Sequence, residues 1–145
     1  MNNYKIKILH VINNLNDQDG GLYDIVKNSC NFLNNFDNVV ITSKIKNKKI
    51  LKKFRSKVIL LDKTRKIKKI FFSLKPNLIH VHGIWSLLNT IICFYGIFKK
   101  IPLIISPQGM LEPWSLKQKL LKKKLFFLLF WKKNSSKSRT DYFCL

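Results

Sequence analysis

Pro76-Asn77-Leu78-Ile79-His80-Val81-His82-Gly83 is a helix stop, a short buried strand and a glycine turn in immediate succession. Proline cannot continue the helix before it, because it lacks the backbone donor and its ring clashes with the preceding turn. Leu78, Ile79 and Val81 then make a short apolar run bounded by turn residues, as in a strand buried on both faces. Upstream, Ile67, Ile70, Phe71 and Leu74 fall at i, i+3, i+4 and i+7, which predicts a helix over 64–74 with one apolar face. Downstream, the pattern predicts a helix over 86–98 and a strand over 102–106, stopped by Pro107-Gln108-Gly109. Strands alternating with helices in this way imply βαβ units and a parallel sheet.

The alternation extends toward the amino terminus. Ile6, Ile8, Leu9, Val11 and Ile12 predict a first strand that stops at Asn13. A polar loop over 13–19 closes on Gly20-Gly21, after which Leu22, Ile25, Val26, Ser29, Cys30 and Leu33 recur at helical spacing. Strands over 39–42 and 58–61 flank a very basic segment, 44–57, in which Ile45, Ile50, Leu51 and Phe54 can anchor a short helix. The expected fold is α/β, a Rossmann-like parallel sheet with helices on both faces. Right-handed crossovers put every strand's carboxyl end on one edge, the edge at which open α/β sheets bind ligands. The loops 13–21, 82–85 and 107–114 converge there.

Composition narrows the class. The chain has 145 residues, 46% hydrophobic and 12% aromatic, enough for one domain with an ordinary core. Its formal net charge is +21, from 28 Lys and Arg against seven acids. Such a field attracts nucleic acid, anionic lipid or phosphorylated substrates. A bias toward Lys, Asn and Ile, which AT-rich codons encode, accounts for the same excess without any partner. Cys30, Cys93 and Cys144 form no CxxC pair, and no histidine stands at zinc-ligand spacing, so no metal site or disulfide framework is expected. Residues 1–10 lack the apolar core of a signal peptide, and no segment reaches the roughly 20 apolar residues that span a bilayer. The expected location is the cytoplasm.

Several residues at the ligand edge could carry chemistry. Gly20 and Gly21 permit close backbone approach to a ligand beside a helix start, or simply make a tight turn; no P-loop or GxGxxG pattern is present. His80 and His82 point to one face of their strand, with His82 at the ligand edge and His80 one step inside as a structural residue. Gln108 and Glu112 can hydrogen-bond sugar hydroxyls, and Gly109 belongs to the same loop. Trp85 and Trp114 can offer a ring face to a ligand or fill the core. Glu112 is the only glutamate, and there is no DxD, HExxH or Ser-His-Asp set, so a paired-carboxylate hydrolase is poorly supported. Ser115 can cap a last helix over 116–133, with Leu116, Leu120, Leu121, Leu125, Leu128 and Leu129 on one stripe. Lys117, Lys122, Lys123 and Lys124 on that helix are either a solvated face or a surface for anionic membrane.

Taken together, the stretches 5–26, 76–86 and 101–133 resemble the family 4 (group 1) glycosyltransferases of the GT-B architecture, in the order and spacing of that family. The resemblance covers residues 5 to 133 and implies the amino-terminal, acceptor-side half of a two-domain enzyme with its active site in the cleft between the halves. It implies retaining transfer of a sugar from a nucleotide-sugar to a saccharide or lipid-linked acceptor, without a cofactor or divalent metal. By the same resemblance, Gly20 and Gly21 approach the donor phosphates or transferred sugar. His82 lies near the reacting sugar as the catalytic candidate. Trp85, Gln108, Gly109, Glu112 and Trp114 shape the acceptor site. Many relatives have His or Arg where Gln108 stands, which leaves a charged role there in doubt.

The family's second, nucleotide-binding domain does not appear in the sequence, so the 145-residue chain is expected to be inactive alone. Residues 134–145 are polar where the family continues with an apolar strand. Codons compatible with Ser135 onward, read one base on, encode Leu-Gln-Lys-Ala-Glu-Leu-Ile-Ile-Phe, so 134–145 is expected to be a frameshifted tail after a domain at 1–133. Other readings stay open: a stand-alone acceptor-binding accessory subunit, a basic nucleic-acid-binding protein, or a non-functional remnant. Nucleic acid is the weaker partner, since no aromatic RNA motif, zinc finger or helix-turn-helix pattern accompanies the charge. The expected partners are a nucleotide-sugar, a saccharide acceptor, the missing carboxyl-terminal domain and an anionic membrane surface at the inner face.

Overall fold

The computed structural model describes residues 5–19, 21–61, 63–112 and 142–144. Its strands are β1 (Lys7–Leu15), β2 (Asp37–Ile45), β3 (Lys57–Leu60), β4 (Leu78–His82), β5 (Leu103–Ser106) and β6 (Tyr142–Cys144). Between them run the helices α1 (Gly21–Phe32), α2 (Arg65–Leu74) and α3 (Leu87–Phe98), with 3-10 turns at Asp17–Asp19 and Lys48–Lys53. The six strands form one sheet in the order β3-β2-β1-β4-β5-β6, and every pairing is parallel. This is the Rossmann-like α/β architecture, and its strand order reverses direction between β1 and β4.

Strand alternation divides the core in two. Leu9 and Val11 of β1, Val39 and Ile41 of β2, and Ile79 and Val81 of β4 pack under Ile67 and Phe71 of α2 and Leu88, Ile92 and Cys93 of α3. On the opposite face, Ile12 and Val40 pack under Tyr23, Val26 and Cys30 of α1, together with Ile50 and Phe54. Each large side chain withdrawn from water in this way contributes about 1.5–3 kcal/mol. Helices therefore cover both faces, as the periodicity implies. Ile50 and Phe54 are buried and seat the 3-10 turn of the basic segment, while its lysines remain outside.

Two strands outrun the sequence pattern. β1 continues past Asn13 to pair Asn14 with Lys44 and Leu15 with Ile45, and β2 spans Asp37–Ile45 rather than 39–42. Leu15 is fully buried, so apolar packing extends the strand across two asparagines that read as loop. At the other end of the sheet, Tyr142–Cys144 pairs with Leu103–Ile105 as an edge strand, where the sequence reading assigns no element. Among the described residues no helix is long and apolar enough to cross a membrane. Cys30 and Cys93 are buried free thiols, and burial pushes them up to about 11 and about 12 respectively, so neither is an ionised nucleophile.

Candidate functional site

A cavity of about 160 Å³ opens at the carboxyl edge of the sheet, where the strand order reverses. β1 supplies Asn13 and Asn14, the start of α1 supplies Leu22, and the end of β4 with its turn supplies His82, Gly83, Ile84, Trp85 and Ser86. Asn89 of α3 and Met110 of the loop after β5 complete the described lining. The sheet brings these together because β1 and β4 are neighbours in register, with Ile12 opposite His82.

The turn after β4 is built around Gly83, whose φ of +78° suits glycine. A Cβ there would lie 2.7 Å from Met110 Cε, so the missing side chain is the space that Met110 occupies. Met110 is held by its own backbone and sulfur: Trp85 Nε1 donates to its carbonyl at 3.1 Å and the Ile84 amide donates to its Sδ at 3.4 Å. Ser86 caps α3 by accepting from the Asn89 amide at 3.1 Å. The Asn89 side-chain amide donates to the carbonyls of His82 (3.1 Å) and Gly83 (2.7 Å), which leaves its Oδ1 buried without a partner.

Beneath the cavity, three imidazoles share the α1 face of the sheet. His10 stands opposite His80 across the β1–β4 ladder, and His82 follows two residues on. His10 and His82 are fully buried, and their rings stack with centroids 5.5 Å apart. His10 Nδ1 and His82 Nε2 are 3.2 Å apart, His10 Nε2 is 3.3 Å from Asn38 Oδ1, and His80 Nε2 is 2.8 Å from Ser106 Oγ. His82 Nδ1 is buried and has no partner. Burial, reinforced by His80, lowers His10 to about 4; burial with both neighbouring rings lowers His82 to about 2. Burial lowers His80 as well. All three are neutral at physiological pH.

One nitrogen from each ring lies within 4.8 Å of the others, a spacing at which three imidazoles could share a cation. Spacing along the chain could not reveal this, because His10 reaches the other two only through the register of two strands. A clue existed in the similar strings Leu9-His10-Val11-Ile12 and Ile79-His80-Val81-His82, which align when the strands pair. Asn89 was also invisible as a site residue, inside a helical pattern, while Met110 stood in the edge loop 107–114 as an ordinary apolar residue with no role of its own.

Of the residues singled out by sequence, His82 and Trp85 line the cavity. His80 sits one step below, bonded to Ser106. Gly21 begins α1 beside Leu22, with open space where a Cβ would be. Gln108, Gly109 and Glu112 are exposed on the loop after β5 and are not among the cavity's described lining. Gln108 and Gly109 both have positive φ, +55° and +73°, so this turn is fixed in a conformation most side chains avoid. Gly20, Trp114, Lys117, Lys122, Lys123 and Lys124 lie outside the described residues. Comparison with protein families, curated proteins and solved structures returned no match for this chain.

Proposed function

We propose that this chain is the acceptor-side Rossmann-like domain of a nucleotide-sugar-dependent glycosyltransferase, and that the cavity between β1 and β4 receives a saccharide. The observation that carries the reading is the lining itself: neutral amides, a neutral histidine and a tryptophan at the switch point of a parallel sheet. His82 Nδ1 and Asn89 Oδ1, on two of the lining residues, are buried without a partner, and hydroxyl groups can supply a donor. An unmet buried acceptor costs about 1–3 kcal/mol, which a bound hydroxyl recovers. Trp85 adds an aromatic ring to the lining, and sugar rings pack on aromatic faces.

Anions fit less well. No Lys or Arg is among the described lining, and Asp17 and Asp24 lie before and within the first turn of α1, where a phosphate would otherwise be welcomed. The neutral part of the substrate therefore belongs in this cavity. When the anomeric carbon–oxygen bond to the nucleotide breaks and a bond to the acceptor oxygen forms, the acceptor's proton passes to the departing diphosphate, whose charge cations elsewhere must stabilise. A histidine lowered to about 2 is too weak a base to remove a proton near neutrality, so His82 orients a hydroxyl rather than deprotonating it. Work at an anionic membrane surface on the cytoplasmic side suits the overall charge.

Amide NMR of the full chain with neutral oligosaccharides, nucleotide-sugars and a short oligonucleotide tests the reading. Saccharides are expected to shift Asn13, Trp85 and Asn89, and Trp85→Ala to weaken them about tenfold, equivalent to about 1.4 kcal/mol. Silence toward every saccharide, with salt-sensitive oligonucleotide binding instead, would replace this reading by the nucleic-acid one. Saccharide binding without transfer is the result expected of an acceptor-side domain alone, and co-purification with a separate chain that supplies the donor domain would favour an acceptor-binding subunit.

A further inference from the structure

The orientation of one amide fixes the proton positions of His10 and His82. Asn38 Nδ2 donates to the carbonyl of Leu33 at 2.6 Å, with the carbonyls of Cys30 and Phe36 at 3.4 and 3.5 Å. Its nitrogen is thus committed to acceptors, and the atom facing His10 must be the oxygen. His10 Nε2 then carries the proton and donates to Asn38 Oδ1. A neutral His10 with that proton has a bare Nδ1, so His82 Nε2 must donate to it. His82 is left with an unprotonated Nδ1, the buried nitrogen that has no partner.

We propose that Asn38 and His10 form a positioning relay that holds His82 in the tautomer with a bare Nδ1, presenting a hydrogen-bond acceptor to a ligand hydroxyl at the β1–β4 cavity. The relay runs from the amino-terminal end of β2, where Asn38 pairs with Ile8, across β1 to the carboxyl end of β4. It uses main-chain carbonyls at and just after the end of α1 as its fixed point, and those cannot change protonation. The hydroxyl's part rests on the saccharide reading of the cavity; the tautomer does not.

Long-range proton–nitrogen NMR of the ¹⁵N-histidine-labelled full chain at pH 7, without ligand, reads each ring's tautomer directly. The expected spectrum has His10 and His82 both protonated at Nε2, with His82 Nδ1 giving the signal of an unprotonated nitrogen. A proton on His82 Nδ1, or an imidazolium at either position, overturns the relay. Asn38→Ala is expected to let His10 and His82 exchange between tautomers; His82 unchanged in a folded variant would show that the relay does not set it. Adding a neutral oligosaccharide that binds should move the His82 Nδ1 signal upfield as it accepts a hydrogen bond. If the ligand-free tautomers are as expected and saccharide leaves Nδ1 unmoved, the saccharide reading fails at this atom while the relay stands.

Discussion

Three imidazoles packed side by side, His10 and His82 of them fully buried, make the stability of this protein depend on pH. In the unfolded chain each histidine titrates near its ordinary value of 6.5, whereas folding lowers His10 to about 4 and His82 to about 2. Between those values the unfolded state binds more protons than the folded one. Stability is thus fully present above about pH 6.5 and is lost as pH falls toward 4, before most carboxylates titrate. Each such histidine contributes a slope of up to about 1.4 kcal/mol per pH unit in that window. Urea midpoints should therefore change little from pH 7.5 to about 6.5 and fall steadily from there to pH 5, and His10→Phe or His82→Phe should flatten the decline. A midpoint constant across that range would mean that these rings titrate in the folded protein as they do in the unfolded chain. The same burial that makes the group acid-sensitive is what keeps His82 neutral as an acceptor.

At the scale of elements, the site depends on how α3 starts. Ser86 has extended backbone and its hydroxyl accepts from the Asn89 amide, which ends the turn and begins the helix at one residue. Asn89 in turn holds the carbonyls of His82 and Gly83, so the cap, the turn and the end of β4 are one hydrogen-bonded unit. Ser86→Ala should cost about 1 kcal/mol, measured as a lowered denaturant midpoint, and should speed amide exchange at Asn89 more than in the middle of α3. Uniform exchange along the helix would uncouple the cap from the site. Much of this was legible beforehand. The helices over 64–74 and 86–98, the strand at 78–82 and the convergence of loops at one edge all follow from apolar spacing and the breakers Pro76, Gly83 and Pro107. The end of β1 was not, because Asn13 and Asn14 look like loop until the burial of Leu15 is known. His82 was found because its place depends only on its own strand. His10, Asn38 and Met110 were missed because each acts through register, or through space that a glycine vacates, and neither is written in local pattern.

Over the whole molecule, charge is the dominant unsatisfied quantity. Seven acids cannot neutralise 28 cations, and ion pairs such as Lys7–Asp37 and Lys27–Asp24 offset few of them. From Lys44 to Lys75 the chain carries Lys or Arg at 44, 46, 48, 49, 52, 53, 55, 57, 63, 65, 66, 68, 69 and 75 against Asp62 alone. That stretch includes β3 and α2, so self-repulsion is concentrated toward one edge of the sheet. Repulsion between exposed like charges opposes the compact state and is screened by salt, over a Debye length of about 10 Å at 0.1 M and about 3 Å at 1 M. The melting temperature should therefore rise as sodium chloride increases from about 0.01 M to about 0.5 M, the range over which screening becomes shorter than the spacing of surface charges. Association with vesicles containing anionic lipid should weaken over the same range, because it draws on the same exposed charges. Saccharide binding at the β1–β4 cavity should not follow either trend, since its described lining holds no cation and its histidine is neutral. Salt thus separates the two properties on one sample. A saccharide affinity that fell in step with vesicle binding would place the sugar on the basic surface and remove the cavity from the account.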